Sequence, residues 1–121
     1  MDQLIFLGLS EVEPDEGMAE RVRGTLLEML PGGQTTVDDL AGRLFVSRRT
    51  LQRRLREEGT NFKDILSKVR EELARHYITK SELPYTQISF LLGYEDPNSF
   101  FRAFHSWTGA TPETIRAQAT Y

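Results

Sequence analysis

Between Ser47 and Arg56 the chain carries Arg48, Arg49, Arg53, Arg54 and Arg56, with Gln52 among them and no acidic residue. These side chains suit one kind of chemistry. A guanidinium can donate two hydrogen bonds to O6 and N7 of guanine, a glutamine amide can pair twice with adenine, and the remaining arginines can neutralise phosphates. On an arbitrary helix such a cluster reads as a solvated basic face. What surrounds it therefore decides its meaning.

Other chemistries are poorly supplied. There is no cysteine, which excludes disulfide frameworks, thiolate nucleophiles and cysteine-bound zinc. His76 and His105 stand 29 residues apart without metal-ligand spacing around them, and no Ser/His/acid set or carboxylate pair convinces. His105 and Ser106 are neighbours on one helix and point apart. The reading is of a protein that is not an enzyme and needs no cofactor or metal.

The formal charge of −3 conceals an uneven distribution. Residues 1–17 hold five acids and no base, whereas the body from Met18 onward holds 15 bases against 13 acids. Local density of charge matters more than the total for attracting a polyanion. The apolar run Leu4–Leu9 follows Asp2, lacks a basic start and is short for a signal peptide. The expectation is a non-secreted chain without a membrane span.

Helical periodicity dominates the rest, and no segment alternates as a strand. Residues about 16–30 place Val22, Leu26, Met29 and Leu30 on one side, with Asp15, Glu16 and Glu20 suited to a helix N-terminus, before Pro31-Gly32-Gly33 ends the run. Thr36 opens a second helix, with Asp39 as a capping-box partner and Val37, Leu40 and Leu44 as its apolar stripe. Ser47 caps a third, with Leu51 and Leu55 facing inward and Gly59 at its end. A long helix follows from Phe62 to about Thr79, its stripe formed by Phe62, Ile65, Leu66, Val69, Leu73 and Tyr77, spanning roughly 27 Å. After Leu83-Pro84, Tyr85–Leu92 makes a short helix, and Gly93-Tyr94-Glu95 a turn. Asp96 and Pro97 then start a helix that turns Phe100, Phe104 and Trp107 inward and stops at Gly109. A last helix begins at Thr111-Pro112.

The two halves repeat one another. Leu40 and Leu44 match Ile88 and Leu92 at an offset of 48, and Ser47, Leu51, Arg53 and Leu55 match Asp96, Phe100, Arg102 and Phe104 at 49. Each copy is a short helix, a tight turn and a capped second helix, the sequence form of a helix-turn-helix. The second helix of such a unit enters the major groove, which turns the arginine cluster from a solvated face into a reading head. Gln52 and Arg53 suit base readout, while Arg48, Arg54 and Arg56 suit phosphates. The second copy presents Asn98, Phe101 and Arg102 outward, with His105 and Ser106 where further phosphate-binding bases would be expected. Phe101 either packs on a neighbouring helix or touches a thymine methyl or sugar.

Thr50-Leu51-Gln52-Arg53-Arg54-Leu55-Arg56-Glu57-Glu58-Gly59 and Gly93-Tyr94-Glu95-Asp96-Pro97-Asn98-Ser99-Phe100-Phe101-Arg102-Ala103-Phe104, followed by Trp107-Thr108-Gly109 and Pro112, resemble the DNA-binding domain of AraC/XylS-type transcription regulators. The resemblance covers about residues 18–119. It implies an all-α fold of about seven helices, with two helix-turn-helix subdomains joined by a long linker helix and entering successive major grooves on one DNA face. The expected organisation is an acidic tail or linker remnant at 1–17, a first lobe at 18–61, the linker helix at 62–80 and a second lobe at 81–121. It further implies base-reading roles for Arg49, Gln52 and Arg53 in the first lobe, and for Asn98 and Arg102 in the second. A bacterial, cytoplasmic regulator of transcription is expected, whose partner is a double-stranded operator, with RNA polymerase a further partner where the outcome is activation.

Two positions depart from the family pattern. Pro84 replaces a usual capping residue, and His105-Ser106 replaces a pair that is commonly basic. Full-length members similar to this chain carry a separate effector-sensing and dimerising domain, expected outside these 121 residues. The competing reading is a helical protein-interaction module without specific DNA binding, using the acidic tail and the linker-helix surface. Salt dependence separates the two, because counterion release makes DNA binding fall steeply with salt.

Overall fold

A computed structural model describes residues 17–33 and 35–119, and the acidic stretch 1–16 lies outside them. The described residues form seven α-helices and no strand: α1 Met18–Met29, α2 Val37–Arg43, α3 Arg48–Glu57, α4 Phe62–Lys80, α5 Tyr85–Leu91, α6 Pro97–Thr108 and α7 Pro112–Ala119. A 3-10 turn, Leu30–Gly32, extends α1.

Local chemistry places most of the boundaries. Thr36 and Asp39 form a reciprocal capping box at α2. Ser47 accepts from the Thr50 amide at α3, Asn61 from Asp64 at α4, and Asp96 from Ser99 at α6, each satisfying an otherwise orphaned donor. Gly109 ends α6 in the left-handed conformation, φ 73°. Helix α5 starts at Pro84 without a side-chain cap, as the departure at this position suggests.

Burial divides into two apolar cores. The first gathers Val22, Leu26 and Leu30 from α1 and its extension, Leu40 from α2, Leu51 and Leu55 from α3, and Ile65 and Val69 from α4. The second gathers Ala74 and Ile78 from α4, Ile88 and Leu92 from α5, and Phe100 and Phe104 from α6. Each fully buried large side chain contributes about 1.5–3 kcal/mol. Trp107 is only half-buried, its ring meeting that of Phe104 edge-on at 6.4 Å.

Helix α4 does not keep the single stripe that its large apolar residues suggest. Its buried residues are Ile65, Val69, Ala74 and Ile78, while Leu73 and Tyr77 are half-buried. From Val69 to Ala74 is a step of five residues, about 140° around a helix. The buried face thus rotates midway, so the first half of α4 closes one core and the second half the other. Leu73 packs against both.

Three charged groups close joints that helix periodicity cannot. Glu58 accepts from the Met18 and Ala19 amides and caps α1, whose own N-cap, Gly17, has no side chain to do so. Arg116 of α7 reaches back to the end of α4, donating to the carbonyls of Ile78 at 3.0 Å and Tyr77 at 3.4 Å, and to that of Leu83 at 3.0 Å. Its guanidinium lies 4.8 Å from the centre of the Tyr85 ring. Arg70 of α4 bonds the turn between α5 and α6 in a similar way, donating to the carbonyls of Leu92 and Gly93.

Candidate nucleic-acid interface

Leu51 and Leu55 are fully buried and set the orientation of α3. With about 100° between successive helical residues, Arg49, Gln52, Arg53 and Arg56 fall in one sector of roughly 100° turned away from the core. All four are exposed. Arg48 and Arg54 are also exposed but flank the buried stripe, which suits contacts to the two walls of a groove. Arg56 thus shares the outward sector with Arg49, Gln52 and Arg53.

Two of these arginines are tethered. Arg53 Nη1 lies 3.1 Å from the Glu57 carboxylate one turn along α3, and Arg48 Nη1 lies 3.5 Å from Asp38 on α2. Both pairs are open to solvent and hold their side chains with little net energy, about 0–1 kcal/mol. Such pairs can be exchanged for nucleic-acid contacts at small cost.

Helix α6 repeats the arrangement with different chemistry. Phe100 and Phe104 take the places of Leu51 and Leu55, and both are fully buried. Asn98, Phe101, Arg102 and His105 take the places of Arg49, Gln52, Arg53 and Arg56, and all four are exposed. Arg102 lies 3.3 Å from Ser99 Oγ, and Ser106 stands where α3 has Glu57, so the intrahelical ion pair of the first copy has no counterpart. Phe101 keeps 36% of its surface exposed and meets Tyr85 of α5 edge-on at 6.4 Å, so it does pack on a neighbouring helix while leaving an edge outside. Beside it a groove of about 430 Å³ runs past Tyr85, Arg102, His105 and Pro112.

The N-terminus of α6 is held electrostatically. The backbone amide of Ser99, then its hydroxyl and the charge of Arg102, hold the Asp96 carboxyl below its usual range despite an opposing desolvation effect. Behind the helix, Ser89 Oγ is buried and donates to the Asp96 carbonyl at 3.2 Å, tying α5 to the start of α6.

The two turns of the repeat differ sharply. In the first, Phe45 adopts φ 58° with its side chain 94% exposed. In the second, Gly93 occupies the matching place at φ 83° and is buried.

Residues 40–118 match the profile of the helix-turn-helix domain family, a span that runs from within α2 into α7 and includes both second helices of the repeat. The chain belongs to the AraC-type helix-turn-helix family. The ornithine utilization regulator of Pseudomonas aeruginosa is 39% identical over 108 residues, which is 89% of this chain and 32% of that protein. The chain therefore spans about a third of the length of the curated relatives it matches. Among solved structures, a DNA-binding transcriptional dual regulator from Escherichia coli K-12 superposes with a TM-score of 0.81 at 22% identity, covering 91% of this chain and 98% of that one, which supports the AraC-type fold. The DNA-binding domain of AdpA, solved in complex with a target DNA, superposes with a TM-score of 0.72 at 27% identity, over 85% of this chain and 93% of that one.

Among the described residues there is no group of side chains that could hold a metal ion, and no helix long and apolar enough to cross a membrane. Sequence reasoning missed Glu58, Arg70 and Arg116, which position the AraC-type fold through partners 22 to 40 residues away. No local motif announces contacts at that separation.

Proposed function

We propose that this chain binds double-stranded DNA sequence-specifically, with α3 and α6 in successive major grooves, and so regulates bacterial transcription. One observation carries the reading. The same solvent-facing sector occurs twice, on two helices whose buried faces are pinned by equivalent residues, and on α3 that sector is built from arginine and glutamine. Likeness to a domain solved on its target DNA supports it.

In this proposal Arg49, Gln52 and Arg53 read base edges in one groove, and Asn98 and Arg102 in the next. Arg48, Arg54, Arg56 and His105 hold phosphates and set the register of each helix. Glu57 steers Arg53 until a guanine replaces it. The protein acts in the cytoplasm, an effector-sensing domain belongs to the full regulator, and RNA polymerase is a further partner where the outcome is activation.

The test is selection of bound sequences from random duplexes at about physiological salt. A bipartite site with its halves about 10–10.5 base pairs apart is expected. Affinity should also fall by about 0.9 log units per neutralised phosphate for each tenfold rise in salt. A flat salt dependence with no enriched sequence would favour the protein-interaction module instead.

A further inference from the structure

The repeat is symmetric in sequence, but only in the second turn is the left-handed residue itself enclosed by other elements. Phe45, in the first turn, points into solvent. Gly93, in the second, is wedged between the lobes. A side chain there would meet Leu30 Cδ2 at 3.2 Å and the Gly33 carbonyl at 3.4 Å, both from the segment that follows α1, and Arg70 Nη2 at 3.3 Å. Arg70 closes the wedge from α4, with Nε 2.8 Å from the Leu92 carbonyl, Nη2 3.0 Å from the Gly93 carbonyl, and its guanidinium 4.3 Å from the centre of the Tyr94 ring. These three consecutive residues lead directly into Glu95 and Asp96, the N-cap of α6.

Helix α4 packs on α6 through the second core, where Ala74 and Ile78 share a cluster with Phe100 and Phe104, but this apolar contact is non-directional and leaves the start of α6 to be fixed by other groups. The chain leaves α4 at Ser81, crosses a non-helical stretch to Tyr85, and runs through α5 and a turn before α6 begins. The contact of Arg70 with the Leu92–Tyr94 segment bypasses that path. It connects the linker helix, and through Leu30 and Gly33 the first lobe, to the base of the second recognition helix. Backbone carbonyls bonded to a planar, two-pronged cation leave little rotational play.

We propose that Arg70 is a positioning residue that sets the spacing and helical phase of the two DNA half-sites without touching DNA. The proposal rests on the functional reading above. With Gly93 it acts as a spacer gauge: Arg70 holds the turn by its carbonyls, and the missing side chain at 93 lets the first lobe approach. Loss of either should loosen spacing discrimination while leaving each recognition helix able to read its own box.

The test uses the 121-residue chain and duplexes carrying both selected boxes, with the separation varied one base pair at a time by up to three in each direction, beside a duplex with the first box only. Each base pair turns the second box by about 35°, so wild type should lose about tenfold in affinity within two base pairs of its optimum. Arg70→Met and Gly93→Ala should bind the first-box duplex within about twofold of wild type, yet show an optimum flattened to about threefold or displaced by one or more base pairs. Arg70→Lys keeps the charge and one prong, and should lie between; it carries the comparison if Arg70→Met does not fold. Variant profiles with the wild-type optimum and sharpness would overturn the proposal, as would loss of first-box and two-box binding in equal proportion. A wild-type chain with no two-box optimum would instead sink the functional reading itself.

Discussion

The Glu58 carboxylate caps the Met18 end of α1 across 40 residues of sequence, accepting from the Met18 amide at 2.7 Å and from the Ala19 amide at 3.0 Å. A negative charge at a helix N-terminus meets both unsatisfied donors and the positive end of the helix dipole. Glu58→Ala should cost about 1–2 kcal/mol in urea unfolding, and Glu58→Gln, which keeps an acceptor but no charge, about half of that. Two variants of wild-type stability would mean that the cap is redundant.

Arg53 and Arg56 share a helix face but are assigned different work. Arg53→Ala should cost about 1–3 kcal/mol on the selected site and relax preference at one base pair, whereas Arg56→Ala should weaken all duplexes alike and flatten the salt slope by about one unit. Binding titrations on the selected and single-mismatch duplexes distinguish the two. Equal, sequence-independent losses would remove the base-reading role of Arg53.

The lobes should contribute unequally. Helix α3 carries five arginines, whereas α6 carries Arg102 and His105. Scrambling the box read by α3 should therefore reduce affinity more than scrambling the box read by α6. The opposite ranking, measured at two salt concentrations, would show that Asn98, Phe101 and DNA shape outweigh charge.

Phe45 holds a left-handed conformation that its side chain disfavours, and 94% exposure means that little packing is lost on removing it. Phe45→Gly should raise stability by about 1 kcal/mol, seen as a higher thermal midpoint. An unchanged or lower midpoint would show that the ring stabilises the turn in some way other than burial.

Asp96 should make the start of α6 sensitive to acid. Its carboxyl is held below the ordinary value of 3.8, chiefly by the Ser99 amide, so its contribution to stability is present above the unfolded value and lost as pH falls through the lower folded one. Between about pH 5 and 2, the thermal midpoint of wild type should fall more steeply than that of Asp96→Asn. Parallel curves would assign the acid sensitivity to other carboxylates.

Helix ends were readable wherever a cap is local. Ser47, Asp96 and Thr36 each bond a donor three residues away, within reach of sequence spacing. The outward sectors of α3 and α6 were readable for the same reason, since Leu51, Leu55, Phe100 and Phe104 leave one face free. The rotation of the buried face of α4 was not, because the large residues Leu73 and Tyr77 mask the smaller Ala74 that marks it. No local pattern sets Arg70 and Arg116 apart in sequence, yet each turns its guanidinium to distant carbonyls and an aromatic face. Their role depends on the tertiary packing itself.

Because the buried face of α4 turns between Val69 and Ala74, each core is completed by a different stretch of the same rod, with Leu73 belonging to both. Neither half owns its interior outright. Cutting the chain anywhere along this helix would strip an apolar seam from one half and leave the other with a frayed edge. On this packing the two reading heads should melt and refold as one cooperative unit rather than one after the other.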